Sequence, residues 1–304
     1  MRPSSFQQNR NFVTLRANAK INLALQVVGK RPDGYHDLRM VMQTLLLHDT
    51  LFIKKIDSDR KIKLVSNVSW LPTDNRNLVY RAIELLQETH NLPGGVFVEI
   101  GKHIPVAAGL GGGSADCAAT LIGMRRLYNL NLSMAELRHI GKGLGADIPY
   151  LLTQGTALAE GIGERITRLT PHPFTYVLLA KPKFSVSTKA VFSRVHMEQI
   201  PDNSRKLTHM LRAIDSQSLH HITKNTFNDL EAITASRYPV IYDIKQAMVD
   251  HGATTAMMSG SGPTVFGYFR NKQQAHSAAR YLKSQGIRDL YLTGIFNRKV
   301  RGEK

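Results

Sequence analysis

The stretch Gly109-Leu110-Gly111-Gly112-Gly113-Ser114 constrains this chain more than any other. Four of the five positions from 109 to 113 are glycine, so almost no side chain keeps a ligand away from the backbone N–H groups. The run lies between a strand that ends near 102–105 and an apolar segment, 115–127, that reads as a helix. A helix start offers unpaired N–H groups and the positive end of the macrodipole, a combination that favours phosphate. A flexible linker is the ordinary alternative, but linkers rarely join a well-formed strand directly to a well-formed helix. The pattern G-x-x-x-x-G-K-S/T occurs nowhere in the chain, and the spacing of a dinucleotide fingerprint is absent too. A cation for the phosphates therefore has to come from another segment.

Lys20 is the leading candidate for that cation. Residues 13–28 alternate, with Val13, Leu15, Ala17, Ala19, Ile21 and Leu23 on one side and Thr14, Arg16, Asn18, Lys20, Asn22 and Gln26 on the other. Period two predicts a half-buried strand, hairpin or bent strand. Its polar row is expected to be exposed, either as an ordinary sheet face or as a surface for an anion. Asp147, in Gly145-Ala146-Asp147-Ile148-Pro149, precedes the apolar Tyr150–Leu152. A carboxylate entering such a stretch either caps a turn or serves as a base for a substrate hydroxyl, held by a cation such as Lys20. Ser114 is a candidate for a phosphate oxygen or Mg²⁺. A second glycine loop, 258–264, carries Gly260, Ser261 and Gly262. It reads either as a hairpin turn or as a contact to a substrate phosphate.

The remaining elements predict an α+β fold. Lys30–Gly34 is a turn by its Pro-Asp-Gly chemistry, and strands are expected at 50–56, 62–68 and 96–100. A helix over 77–88 would be capped by Asp74 or Asn75, and Ser133 with Glu136 forms a capping box for a helix ending near 143–145. Glycines and prolines cluster at 160–173, which places a division between 1–165 and 166–304. Downstream come a strand (176–180), helices (188–251), strands (255–258 and 264–269), a helix (272–283) and a strand (290–296). That order resembles a split β-α-β unit, with helices on one face of an antiparallel sheet.

Composition narrows the function classes. The chain has 304 residues, 42% of them hydrophobic and 21% charged, enough for real cores and far from disorder. No apolar run approaches the roughly 18 residues of a membrane helix, and MRPSSFQQNR lacks a signal peptide's apolar core. No membrane partner is expected. Cys117 is the single cysteine, so no intramolecular disulfide can form and a cytoplasmic location is the default. The net charge of +17 comes from 40 lysines and arginines spread along the chain, with only short clusters such as 298–301. No basic stripe with interleaved aromatics occurs, which argues against a nucleic-acid partner and leaves a basic solvated surface or the attraction of polyphosphate substrates.

Lys20 in Ala19-Lys20-Ile21-Asn22-Leu23, the loop from Pro105 through Ala115, and Gly260-Ser261-Gly262 together resemble the GHMP kinase superfamily. The likeness runs from about residue 13 to 296. It implies a ribosomal-S5-domain-2-like N-terminal half and a ferredoxin-like C-terminal half, and it implies ATP and Mg²⁺ as cofactors. Carried residue by residue, it makes Lys20 and Asp147 the catalytic pair. It gives the nucleotide Asn77, Pro105, Ala107, Ala108, Gly109, Leu110, Gly111, Gly112, Gly113 and Ser114. Gly29–His36 and Gly145–Pro149 are similar to the branch whose substrate is a cytidine-diphosphate-linked methylerythritol (CDP-methylerythritol), on the methylerythritol phosphate route to isoprenoids. Within that branch Asn22 and the Gly260–Gly262 loop would touch the acceptor, and Tyr35, His36 and Phe192 would hold cytosine. Ser187 and Lys189 depart from a pattern that often has proline nearby. A kinase for mevalonate, homoserine or a sugar, and a nucleic-acid binder on an S5-like fold, are the competing readings.

Overall fold

The computed structural model describes residues 11–297. The N-terminal decapeptide and the basic cluster at 298–301 lie outside the described residues. The chain opens with β1 (Phe12–Lys30), β2 (His36–Ile56), β3 (Ile62–Ser66), α1 (Leu78–Thr89) and β4 (Gly95–Gly101). Three helices follow, α2 (Gly112–Leu127), α3 (Met134–Leu144) and α4 (Ile148–Thr153), then β5 (Thr156–Gly161), β6 (Arg165–Arg168) and β7 (Tyr176–Lys181). Next come α5 (Thr188–Phe192), α6 (Ser204–Asp215), α7 (Leu219–Lys224), β8 (Phe227–Asn228), α8 (Glu231–Arg237) and α9 (Val240–Asp250). The chain closes with β9 (Thr255–Met258), β10 (Val265–Phe269), α10 (Lys272–Ser284) and β11 (Asp289–Gly294).

The strands form two sheets. One has the order β3-β4-β2-β1-β8, with β5 pairing a second stretch of β2 and carrying β6. The other is β11-β7-β10-β9, and each of its pairs is antiparallel. In that second sheet the first strand in sequence lies beside the last, as in a ferredoxin-like unit. The expected division at 165/166 falls inside β6, and β8 from the later half pairs in parallel with β1.

β1 is one long strand rather than a hairpin, and it bends at register shifts near residues 18–20, 22–24 and 27–29. Its polar row is not a uniform exposed face. Thr14 and Arg16 face solvent, but Asn18, Lys20, Asn22 and Gln26 are buried. The reason is coverage: α6 packs on this strand, and the two glycine loops close over its middle. A period-two pattern reports which residues share a face, not what later covers it.

Helix α2 lies tight against the sheet. A Cβ on Gly123 would stand 2.6 Å from Ile53 Cδ1 and 2.9 Å from Leu15 Cδ1, so glycine there sets how closely the helix approaches. The helix begins inside the glycine run, three residues before the expected start at 115. Asn77 caps α1, accepting a hydrogen bond from Val79 N at 2.9 Å. Asp74 instead binds Arg76, and the capping expectation for Asp74 or Asn75 is replaced by Asn77. The Ser133–Glu136 capping box of α3 forms in full.

Candidate active site

Lys20 sits mid-way along β1 with 5% of its surface exposed. Its Nζ donates to Asn22 Oδ1 at 2.8 Å and lies 3.5 Å from Asp147 Oδ2. Its backbone N–H donates to Leu110 O at 3.0 Å, tying β1 to the glycine loop. Asp147 reaches this point because α3 ends at Leu144, with Gly145 as its C-cap, and α4 begins at Ile148, leaving the carboxylate on the short turn between them, at the N-cap position of α4. Its side chain makes no capping bond there and stays 31% exposed, so it is available to a ligand. Strand, loop and helix turn thus bring an ammonium and a carboxylate together from positions 127 residues apart in sequence (147 minus 20).

The two glycine loops interlock. Gly109 has φ +74°, and a Cβ on it would stand 2.4 Å from Ser259 O and 3.0 Å from Gly262 O. Ser259 Oγ donates to Gly109 O at 3.1 Å, and a Cβ on Gly260 would be 3.5 Å from Lys20 Nζ. Gly111, in the left-handed region at φ +70°, is the N-cap of α2 and lays no side chain across its first turn. A Cβ there would press on Lys20 Cγ at 3.0 Å, whereas one on Gly113 would meet nothing within 4 Å. Gly113 therefore borders open space at a helix start whose N–H groups no side chain caps.

That space is a cavity of about 510 Å³. Lys20, Asn22, Asn77, Pro105, Ala107, Ala108, Gly109, Gly111, Gly112, Gly113, Ser114, Asp147, Phe192, Gly260 and Ser261 all border it. Leu110 is buried beneath the loop, and Gly262 is packed into the second loop with its Cβ direction blocked by Met258 Sδ at 2.5 Å. Tyr35 and His36 lie off the cavity lining. His36 joins it through Phe192, the two rings stacking at 5.4 Å and 30°. Burial, with Lys30 nearby, lowers the His36 pKa and favours its neutral form; its buried Nε2 has no protein partner. Tyr35 is 62% exposed and contributes no wall as the protein stands.

Sequence reasoning missed several residues at this cavity. Thr188, at the start of α5, borders it and shares a hydrogen bond of 2.8 Å with Ser261 Oγ. The cap of α5 is Ser187, which accepts from Ala190 N, so the position lacking the expected proline is occupied by a working N-cap. Met40, Leu38, Leu25 and Leu230 form an apolar wall, and Lys102 and Asp116 lie beneath the glycine loop. Only Asp116 had a sequence signal, a carboxylate in the first turns of an otherwise apolar helix. A larger cleft of about 790 Å³, lined by Leu46, His48, His103 and Phe174, contains none of the residues predicted from sequence.

The chain matches the GHMP kinases N terminal domain over residues 77–155 and the GHMP kinases C terminal domain over 210–288. A 4-diphosphocytidyl-2-C-methyl-D-erythritol kinase of Lachnospira eligens is 45% identical over 288 residues, covering 93% of this chain and 98% of the relative. The chain belongs to the 4-diphosphocytidyl-2-C-methyl-D-erythritol kinase family. A kinase of that name from Clostridium novyi is also 45% identical, over 91% of this chain and 98% of the relative. Among solved structures, the crystal structure of a 4-(cytidine 5'-diphospho)-2C-methyl-D-erythritol kinase superposes with a TM-score of 0.78. It is 29% identical and covers 94% of this chain and all of that one. A homoserine kinase from Cytophaga hutchinsonii gives 0.76 at 18% identity over 96% of this chain and 97% of its own, a likeness of fold alone. The family's two-part α+β architecture accounts for both sheets, including the ferredoxin-like second half that the resemblance implies.

Proposed function

We propose that the chain transfers the γ-phosphoryl group of ATP to the 2-hydroxyl of 4-diphosphocytidyl-2-C-methyl-D-erythritol, a step on the methylerythritol phosphate route to isoprenoid precursors. The observation that carries this reading is the meeting of Lys20 and Asp147 at the mouth of the glycine loop, in a chain 45% identical to kinases of that name over 93% of its length. In the reaction the acceptor oxygen bonds to the γ-phosphorus, the bond from that phosphorus to the β–γ bridging oxygen breaks, and ADP leaves. Asp147 receives the hydroxyl proton or orients it. Lys20, 3.5 Å from Asp147, orients that carboxylate and neutralises charge on the transferring group. The N–H groups of residues 111–114 hold the triphosphate, Asn22 and the 260–262 loop hold the acceptor, and His36 with Phe192 and Tyr35 hold cytosine.

Mg²⁺ fits this site as a companion of the nucleotide. Among the described residues no cluster of three histidine, cysteine or acidic side chains could hold a metal. The Ser114 hydroxyl at the first turn of α2 borders the cavity, and Mg²⁺ commonly takes one or two protein oxygens together with substrate phosphates. When bound, the ion would supply neutralisation of phosphate charge.

The test is a substrate panel. Purified protein is incubated with ATP and either the cytidyl substrate, mevalonate or homoserine, reading ADP release and locating the new phosphate by phosphorus NMR. The expected outcome is turnover with the cytidyl substrate alone and phosphate on the 2-oxygen. Turnover with mevalonate or homoserine at comparable kcat/KM would sink the assignment.

A further inference from the structure

A buried ion cluster lies directly under the glycine loop and takes no part in the chemistry above. Lys102, one residue past the end of β4, donates from Nζ to Asp49 Oδ2 and, at 2.7 Å, to Asp116 Oδ2. The three side chains are 4%, 0% and 4% exposed. Asp49 comes from β2 and Asp116 from the second turn of α2, so the cluster joins two strands of the sheet to the helix that opens the phosphate site. The other oxygen of Asp49 accepts the backbone N–H groups of His103 and Ile104, at 2.5 and 2.8 Å. Lys102 is fixed independently through its backbone: its N–H donates to Asn67 Oδ1 at 2.7 Å, and Asn67 Nδ2 donates to its carbonyl at 3.1 Å.

The glycine loop rests on this assembly. A Cβ on Gly112 would stand 3.0 Å from Ile104 Cγ2 and 3.4 Å from Lys102 Nζ. Residues 105–110 span the gap between a fixed Ile104 and a helix anchored through Asp116. Moving either end moves the N–H groups aimed into the cavity. As a stabilising device the cluster is a poor choice, since buried ions recover little more than their desolvation cost. With two carboxylates and one ammonium it also carries formal negative charge next to a site for anions. Burial works against the Lys102 ammonium, but Asp116 and Asp49 outweigh it and hold its pKa above the ordinary lysine value. Burial likewise pushes the Asp116 carboxyl well up, opposed by Lys102 and reinforced by Asp49. Its Oδ1, in a side chain nine-tenths buried, has no protein partner. Both shifts mean that the cluster keeps protons and so limits its own negative charge beneath the phosphates.

We propose that Asp116, acting through Lys102 and Asp49, is the positioning residue that sets the glycine loop for the triphosphate. The inference rests on the reading of that loop as the nucleotide site. Asp116 pairs with Lys102 under the glycine loop rather than with Lys20 and Asp147, so its removal acts on ATP and not on the acceptor. In Asp116→Ala the KM for ATP rises about 10-fold or more, with the KM for the cytidyl substrate unchanged. Calorimetry with a non-hydrolysable ATP analogue shows the same loss in Kd. Asp116→Asn, which keeps an oxygen for Lys102, recovers the Kd to within about 3-fold of wild type.

A folded Asp116→Ala whose two KM values are unchanged, or change together, would reduce the cluster to a packing feature and overturn the proposal. Should Asp116→Ala not fold, Asp116→Asn decides alone. A loss of about 10-fold or more in analogue affinity there would mean that charge rather than placement matters, and would also overturn it. Wild-type protein that fails to bind the analogue would instead sink the nucleotide reading, a result distinguishable from a wild type that binds and a variant that binds as well.

Discussion

At the residue scale, Lys20 and Asp147 were legible for different reasons. Lys20 stands out because a period-two strand leaves one ammonium opposite a glycine loop that lacks its own. Asp147 stands out because a carboxylate heading an apolar stretch needs a partner, and Lys20 Nζ lies 3.5 Å away. What sequence could not give was the burial of Lys20, which depends on loops from three distant segments. The pair's proposed role sets a test. Asp147→Asn keeps the shape of the side chain and removes its charge, so kcat should fall about 10²–10⁴-fold, the range for a positioned acid–base group. Circular dichroism and analogue binding should stay near wild type, because Asp147 makes no capping bond and is 31% exposed. Near-normal turnover in a folded variant would remove Asp147 from the mechanism.

At the element scale, periodicity and caps located most boundaries. The Ser133–Glu136 box and the strand at 255–258 appear where the sequence puts them. Two-residue β8 was invisible, since a strand that short has no period to read and forms only because β1 offers a parallel edge. Glycine lowers helix propensity, which predicts a helix start at 115, yet α2 begins at Gly112 because tertiary packing outweighs propensity. Gly111 is where the element meets its function. At φ +70° an alanine costs about 1–2 kcal/mol, and its Cβ would press on Lys20 Cγ at 3.0 Å. Gly111→Ala should therefore lower the melting temperature modestly while cutting kcat/KM for ATP by well over the factor that destabilisation alone produces. Steady-state kinetics at a temperature where the variant is fully folded separates the two. Unchanged kcat/KM would mean that the loop tolerates a side chain and that its backbone is not the phosphate cradle.

At the scale of the whole molecule, the glycine- and proline-rich stretch at 160–173 suggests two halves but says nothing of how they share a core. One cluster of buried side chains runs from Val13 and Leu25 of the first half to Leu178, Ile244 and Phe269 of the second, and an isolated bridge pairs Leu45 with Ile295. His172 stands at this junction. Its N–H donates to Thr156 Oγ1 of the first sheet at 2.9 Å, and its ring meets Tyr268 of the second edge-on at 5.5 Å. Burial pushes its pKa down to about 4, the backbone carbonyl of Pro173 opposing only in part. A histidine with a folded pKa below its unfolded value of about 6.5 contributes its full stability above that pH. As pH falls toward 4 the unfolded chain takes a proton that the folded one refuses, and stability is lost. Over that window the loss from His172 is about 3 kcal/mol. Because the ring is desolvated only while both sheets are docked, both halves should lose this stability in one transition. Urea midpoints measured at pH 7, 5.5 and 4.5 should fall steeply for wild type and less for His172→Gln, with fluorescence from Trp70 and far-ultraviolet circular dichroism coinciding. Equal slopes for the two proteins would show that His172 takes up its proton without undocking the sheets.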